Sequence, residues 1–261
     1  MGGRYYRSHL CSQLAIQVST SQPRVLIWDA ELTPALVWTW SAYEANALRI
    51  EKDQRILCFA YRWLGEKKIH VVRAGLRGDK QAVRILYKLF NEADVILAYN
   101  GDAFDQKHAN TRFLVHGLPP PSHYQSIDPL KVNRKYFKHL SNKMDEVARV
   151  LGLERKVQHA GMSLWFDCMA GDKKAWKQMD AYNRQDVQVL TEIYATILPW
   201  IENHPNMNHF TTDVVCPKCG SDNWVRQGVR RSISTIRRTY QCKDCWGWFS
   251  DKKALSSAQV K

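Results

Sequence analysis

Alternating and helical hydrophobic patterns along the chain predict an α/β domain. An apolar run from Val25 to Trp28 is typical of a buried strand. Residues 36–43 and 55–72 are rich in Val, Ile, Trp, Tyr and Phe, which predicts further strands beside it, with a turn at residues 65–68. Residues 79–94 repeat their apolar side chains at helical spacing. The predicted order is three strands, a helix, a strand and then several helices.

The second half of this pattern is mainly helical. Residues 94–99 predict a strand that is followed by a glycine-containing turn and a helix over 106–116. Residues 144–151 carry an apolar stripe at i, i+3, i+4 and i+7, and Gly152 suits the end of that helix. A longer helix is predicted for residues 176–198, where apolar residues also recur at helical spacing.

Four acidic residues and one tyrosine lie at chemically suggestive places in these elements. Asp29 and Glu31 end the first strand and point to the same side of it, an arrangement that suits a divalent cation. Asp105 begins a helix just beyond a strand, where α/β proteins commonly bind ligands. Tyr182 and Asp186 are four residues apart and share one helix face. Each also has a structural explanation: an acidic turn, a helix cap and a solvated helix face.

Taken together, three motifs resemble those of the DEDD 3′-to-5′ exonucleases of the ribonuclease H-like superfamily. They are Asp-x-Glu at 29–31, Asn-x-x-x-Phe-Asp at 100–105 and Tyr-x-x-x-Asp at 182–186. The tyrosine indicates the subclass similar to B-family polymerase proofreading domains and stand-alone bacterial and phage exonucleases, because the histidine subclass would need His where Ala181 stands. The resemblance covers residues 23–203. It implies an α/β fold with a ribonuclease H-like mixed β-sheet flanked by helices.

The resemblance also implies an activity and a role for each residue. The chain would be a 3′-to-5′ exonuclease that uses two Mg²⁺ or Mn²⁺ ions on single-stranded DNA or unpaired 3′ ends. Asp29, Glu31 and Asp186 would hold the metal that activates water, Asp29 would also reach the second ion, and Asp105 would act directly or through water. Tyr182 would orient the water, since a free phenol pKa near 10 makes a poor base at neutral pH. Asp102 is an alternative to Asp105 as the metal-facing acid.

Four cysteines near the C-terminal end predict a structural zinc site. Cys216, Cys219, Cys242 and Cys245 form two Cys-x-x-Cys pairs separated by about twenty residues, which matches tetrahedral coordination of one Zn²⁺. A pair of disulfides is the alternative. Because so short a segment cannot bury enough apolar surface to fold alone, metal binding would supply its stability. We therefore predict a zinc ribbon built around a hairpin.

Charge connects this ribbon to nucleic acid. The chain carries a formal charge of +13, of which residues 214–261 contribute +7 through ten Lys or Arg and three Asp. Basic side chains interleaved with aromatic ones are typical of phosphate contact and base stacking, although a solvated hairpin around an aromatic core is the alternative. We expect nucleic-acid contacts from Asn100, Arg226, Arg230, Arg231, Arg237, Arg238 and Trp248.

The sequence also suggests an organisation, a compartment and two other functions. We expect an N-terminal arm (1–22), an exonuclease domain (23–203), a linker (204–213), a zinc ribbon (214–250) and a tail (251–261). No secretory or transmembrane pattern is present, so we expect the cytoplasm of a bacterium or a phage-infected cell and no membrane partner. Replication or recombination proteins are possible partners. The other functions are a structure-specific endonuclease or RNase on the same fold, and a non-catalytic DNA-binding adaptor.

Overall fold

The computed structural model describes residues 22–43, 46–153 and 161–257, so most of the expected N-terminal arm lies outside the described residues. Eleven strands and six α-helices are present in these ranges. The strands are β1 (Val25–Leu32), β2 (Leu36–Trp38), β3 (Arg49–Lys52), β4 (Ile56–Trp63), β5 (His70–Arg73), β6 (Val95–Leu97), β7 (Gln125–Ile127), β8 (Trp224–Arg231), β9 (Thr235–Cys242), β10 (Trp248–Ser250) and β11 (Ser256–Ser257). The helices are α1 (Lys80–Glu92), α2 (Asp105–Val115), α3 (Pro129–Tyr136), α4 (Met144–Val150), α5 (Ser163–Ala170) and α6 (Lys173–Ile197).

A five-stranded mixed sheet forms the centre of the larger domain, in the order β5-β4-β1-β6-β7. β1 pairs antiparallel with β4 and parallel with β6, and β7 continues the parallel part. Together with the helices on its faces, this sheet confirms the predicted fold class.

One strand prediction was wrong. Residues 36–43 were expected beside the first strand, but β2 pairs with β3 in a separate two-stranded sheet. The reason is that β4 and β6 already occupy both edges of β1, so no backbone groups of β1 remain for a third neighbour.

Both faces of the central sheet are covered, which explains why β1 begins with a continuous apolar run. Val25 and Ile27 pack in a core cluster with α6, whereas Leu26 and Trp28 pack in a second cluster with α1 and α2. Alternate strand residues point to opposite faces, so four consecutive apolar residues serve two cores. The first four residues of β1 are therefore buried, whereas its last four are only partly buried.

Helix α6 is the longest helix and runs across one face of the sheet. It begins three residues before the predicted start because the carboxylate of Asp172 caps it by accepting a hydrogen bond from the Ala175 N–H at 2.7 Å. Its apolar stripe, which includes Val187, Leu190 and Ile193, is buried. The predicted end of α4 is confirmed, since Gly152 has a φ of +69° and its N–H donates to the carbonyl of Arg149.

The C-terminal segment folds as a small four-stranded sheet that contacts the end of α6. β8 and β9 form the expected hairpin, and β10 and β11 pair with β9. Its Cys219 and Cys245 pack against the core cluster that contains Tyr194, and the Lys218 ammonium donates to the carbonyl of Ile201. In the three described ranges, no helix combines the length and the apolar character that a bilayer crossing needs.

Candidate active site

Three carboxylates meet where the end of β1 faces the middle of α6. Oxygen atoms of Asp29, Glu31 and Asp186 all lie within 4.8 Å of one another. Asp29 and Glu31 point to the same side of β1, and Asp186 is almost fully buried on the face of α6 that packs toward this strand. Hard oxygen donors at this spacing fit a divalent cation such as Mg²⁺, whose charge would offset the repulsion between them. The sequence prediction placed these three residues together, and the geometry agrees.

The carboxylate of Asp29 is held in place from α6 by Asn183. The side-chain amide of Asn183 donates to Oδ2 of Asp29 at 2.9 Å and to the carbonyl oxygen of Asp29 at 3.3 Å. Asn183 is fully buried, and its own side-chain oxygen lies 3.9 Å from the Cys58 sulfur, which donates to it. Burial and the contact with Cys58 hold Asn183 in place, and Asn183 therefore fixes the orientation of the Asp29 carboxylate.

The phenol of Tyr182 lies beside the same carboxylates and is hydrogen-bonded to Asp186. Burial raises its pKa well above 10, and the negative charges of Asp186, Glu31 and Asp29 raise it further. The Trp165 ring packs edge-on against the Tyr182 ring at 6.0 Å. The phenol therefore stays protonated at neutral pH, which suits hydrogen bonding to water and does not suit proton abstraction.

Asp105 reaches the end of β1 from the start of α2. Its carboxylate accepts a hydrogen bond from the backbone N–H of Ala30, the residue between the two acids of β1. Burial raises the pKa of Asp105 to about 7, and the charge of Asp128 contributes to this rise, while hydrogen bonds from the N–H groups of Asp105 and Ala30 oppose it. Asp105 lies outside the group of carboxylates within 4.8 Å of one another. It is close to that group without being part of it.

The alternative acid, Asp102, belongs to a different network. Its carboxylate accepts hydrogen bonds from Ser126, Gln106 and the ammonium of Lys131. Burial disfavours the Asp102 carboxylate, but the contacts with Lys131 and Ser126 outweigh this cost and lower its pKa. The structure thus brings Asp105, and not Asp102, to the end of β1.

Asn100 occupies a turn with a left-handed backbone, at a φ of 59°. Asparagine tolerates this conformation better than most residues. Its N–H donates at 2.9 Å to Oδ1 of Asp128, and the same oxygen caps α3 by accepting from the Leu130 N–H. Asn100 lines a cavity of about 580 Å³ together with two basic side chains, Arg134 and Lys143, and one acid, Asp145.

The four predicted zinc ligands converge in the ribbon. The sulfurs of Cys216, Cys219, Cys242 and Cys245 all lie within 4.8 Å of one another. The sulfurs of Cys216 and Cys245, and those of Cys219 and Cys242, are 3.6 Å apart, close to the roughly 3.8 Å expected for a tetrahedron with Zn–S bonds of about 2.3 Å. All four are free thiols. This arrangement fits Zn²⁺ and is compatible with a zinc ribbon.

The basic residues of the ribbon do not form a single surface. Cross-strand pairing places Arg230 directly opposite Arg237, while Arg238 pairs with Val229 and therefore points to the other side. Arg237 donates to the backbone carbonyls of Asp251 and Lys252, so part of its hydrogen-bonding capacity is used within the ribbon. Trp224, Tyr240 and Phe249 pack together with ring centroids 5.1 to 5.9 Å apart and form the ribbon core, whereas Trp248 is exposed.

The sequence reasoning missed Asn183, although a signal was present. Asn183 lies between Met179 and Val187 on a helix stripe in which every other interior position, apart from Asp186, is apolar. A polar residue on such a stripe needs a buried partner. Because Asn183 lies on the same face of α6 as Asp186, assigning Asp186 to the site would also have indicated the Asn183 side chain as a neighbour.

Comparison with known proteins assigns the chain to a family. Residues 42–198 match the family model described as RNase_H superfamily, a range that includes Asp105, Tyr182 and Asp186 and begins after Asp29 and Glu31. A solved structure with a similar fold is the family B DNA polymerase from the hyperthermophilic archaeon Pyrobaculum calidifontis, with a TM-score of 0.54 and 16% sequence identity. The similarity covers 82% of this chain and 32% of the polymerase, so the chain spans about a third of that protein's length. No curated protein matches the chain.

Proposed function

Because the chain belongs to the RNase H superfamily, we propose that it is a metal-dependent nuclease that shortens single-stranded DNA or unpaired 3′ ends stepwise from the 3′ end. The observation that carries this proposal is the cluster of Asp29, Glu31 and Asp186, whose carboxylate oxygens lie within 4.8 Å of one another beside Tyr182. The proposal assigns catalysis to residues 23–203 and support of nucleic-acid binding to the ribbon at 214–250, with 204–213 as the linker.

The carboxylates divide into two ligand sets. Asp29, Glu31 and Asp186 would hold one divalent cation, and Asp105 would join Asp29 in holding a second, directly or through water. When bound, such cations supply charge stabilisation at the phosphoryl oxygens and a more acidic attacking water. Because the side-chain amide of Asn183 donates a hydrogen bond to Oδ2 of Asp29, the carboxylate loses little conformational freedom when it binds metal.

Tyr182 would orient the attacking water. Its phenol is protonated at neutral pH, because burial and the neighbouring carboxylates raise its pKa. The phenol O–H can donate a hydrogen bond to Asp186 while the phenol oxygen accepts one from the attacking water. Tyr182 would thus position the water, and the carboxylates would carry the negative charge that binds metal.

Contacts that hold the strand are assigned to two regions. Asn100 lines the cavity near Arg134 and Lys143, and the exposed arginines of the ribbon provide phosphate partners whose contribution falls as salt rises. Zinc in the four-cysteine site would be structural, since its four ligand positions are all protein thiols and none remains for water.

The test is cleavage of linear and circular single strands with Mg²⁺ or Mn²⁺, each in DNA and RNA form. We expect the linear strand to be degraded and the circle to survive, because an exonuclease needs an end. Asp29→Ala and Asp186→Ala should each abolish cleavage, while Glu92→Ala, which changes an exposed acid at the end of α1 outside the cluster, should not. Cleavage of the circle would contradict the exonuclease proposal and indicate an endonuclease. Undiminished cleavage by the Asp186→Ala protein would show that the carboxylate cluster is not the active site.

A further inference from the structure

A cleft of about 850 Å³ lies between the end of α6 and the zinc ribbon. Tyr136 and Trp200 line one wall, and Trp246 and Trp248 of the ribbon line the other. These four aromatic side chains are between 38% and 60% exposed, and Trp246 is the most exposed of them. A volume of this size is within the range of ligand-binding pockets. Exposed rings on two facing walls distinguish this cleft from an ordinary gap between domains.

Trp246 adopts a backbone conformation that is unusual for a bulky residue. Its φ is 62°, in the left-handed region where the side chain of an L-residue crowds the backbone. It directly follows the second cysteine of its Cys-x-x-Cys pair. The corresponding residue after the first pair is Gly220, with a φ of 77°, which adopts this conformation without steric cost.

The strain at Trp246 is not offset by burial, because most of its side chain is exposed. A glycine would satisfy the turn at lower cost, as Gly220 does in the other pair. Strained residues that are not needed for packing commonly serve binding. The exposed and strained indole is therefore suited to contact a bound ligand.

The charges around the cleft favour an anionic nucleic acid over a basic or neutral partner. Glu202 is engaged by Lys135 and Tyr136, and the carboxylate of Asp244 accepts from Ser221 and Asn223. The ammonium of Lys243 lies 5.7 Å from the centre of the Trp246 ring. The acids are thus paired within the protein, while a cation stands beside the exposed indole in a segment of strongly positive charge.

We propose that this cleft binds unpaired bases of a single-stranded nucleic acid, which stack on Trp246 and on Trp200 of the opposite wall. The proposal deepens the function proposed above, on which it rests, by naming a second contact for the same strand. Ala195, which lines the cleft, follows Asp186 by nine residues on α6, so the cleft lies about 14 Å along the helix axis from the carboxylates. Bases held there belong to nucleotides some distance from the end that is cleaved.

The test measures binding without cleavage, using the full chain with Asp186→Asn and fluorescently labelled single strands of DNA and of RNA. We expect Trp246→Gly to weaken binding about tenfold or more, the effect of losing a stacked base. Its thermal unfolding midpoint should equal or exceed that of the parent, since glycine relieves the strain. Trp246→Tyr keeps a ring and should bind nearly as well. Ile233→Ala, an exposed ribbon residue outside the cleft, should change neither quantity.

Trp200→Ala tests the opposite wall without touching the zinc site and decides the matter if the Trp246 variant does not fold. It should also weaken binding about tenfold. Equal binding by the parent and both variants would overturn the proposal and would leave a protein or peptide as the occupant. Weaker binding only of RNA or only of DNA would support it and identify the strand. Failure of the wild-type protein to cleave would contradict only the nuclease proposal. The cleft proposal would still be tested, because this binding measurement does not depend on turnover.

Discussion

The side-chain amide of Asn183 donates a hydrogen bond to Oδ2 of Asp29 across 2.9 Å, from α6 to the end of β1. A second hydrogen bond to the backbone carbonyl of Asp29 ties the same amide to the strand itself. The position of the carboxylate relative to Asp186 therefore depends on one buried side chain. A group that orients a metal ligand in this way commonly affects metal affinity as much as it affects stability.

Replacing Asn183 should weaken metal binding more than nucleic-acid binding. For Asn183→Ala we expect the concentration of Mg²⁺ or Mn²⁺ that gives half-maximal cleavage to rise about tenfold to a hundredfold. The reason is that Asp29 loses its orienting donor but keeps its charge. Metal titration of cleavage, together with strand binding, would show it. Asn91→Ala removes side-chain hydrogen bonds on α1 and should leave the titration unchanged, and an equal shift in both variants would exclude a specific role.

Removing the hydroxyl of Tyr182 should slow turnover while strand binding is retained. A hydrogen bond to a charged or reacting group contributes about 1.5 to 3 kcal/mol, so Tyr182→Phe should lower kcat about tenfold to a hundredfold. Because the phenol pKa is raised, the pH profile should keep its shape. Tyr194 is also on α6, and Tyr194→Phe, which removes a phenol hydrogen-bonded to His204 beyond the helix, serves as the control. A kcat that is unchanged in Tyr182→Phe would contradict the water-orienting role.

Ionisation of Asp105 should destabilise the protein when no divalent cation is bound. Burial raises its folded-state pKa to about 7 from the ordinary 3.8, so its contribution to stability is present below pH 4 and is lost as pH rises through 7. Asp105→Asn cannot ionise. It should therefore match the wild type near pH 4 and exceed it above pH 7, by on the order of 2 to 4 kcal/mol. Denaturant unfolding over this pH range measures the difference.

Asp102→Asn provides a control of opposite sign for this titration. Contacts with Lys131 and Ser126 lower the pKa of Asp102, so its contribution is present above the unfolded pKa and lost as pH falls. The Asn variant should be less stable than the wild type at neutral pH and approach it in acid. If the two variants followed the same pH trend, the burial of Asp105 would not be the cause.

Loss of zinc should unfold the ribbon and leave the larger domain folded. The ribbon core consists of a few aromatic rings, and metal binding to such small domains contributes about 10 to 16 kcal/mol. Cys242→Ser should therefore release zinc and expose residues 214–250 to protease. Cys168→Ser, which changes a buried thiol of the larger domain, should retain zinc. A Cys242→Ser protein that keeps a protected ribbon would contradict the metal site.

The central helices followed from the sequence because apolar spacing is a local pattern, whereas the grouping of Asp186 with Asp29 and Glu31 was implied by the family resemblance. Apolar spacing located α6 within three residues, and alternation in β1 placed Asp29 and Glu31 on one side. The partner of β2 did not follow, since strand pairing depends on which edges are already occupied.

Local pattern could mark Asn183 as a buried polar residue but could not assign its role, and it gave no signal for Trp246. The role of Asn183 requires knowing that α6 crosses the end of β1. The strain at Trp246 is a property of its backbone angle, and the facing Trp200 comes from a segment far away in the chain. Sequence spacing reports elements and faces, whereas these two residues depend on how separate elements are placed.

The most direct test of the central claim is a time course with one single strand labelled at its 5′ end or at its 3′ end, in the presence of Mg²⁺ or Mn²⁺. The proposed stepwise cleavage predicts a ladder of progressively shorter products from the 5′-labelled strand. It predicts immediate release of labelled mononucleotide from the 3′-labelled strand, and neither product with Asp186→Asn. A ladder from the 3′-labelled strand, or unchanged products with Asp186→Asn, would contradict it.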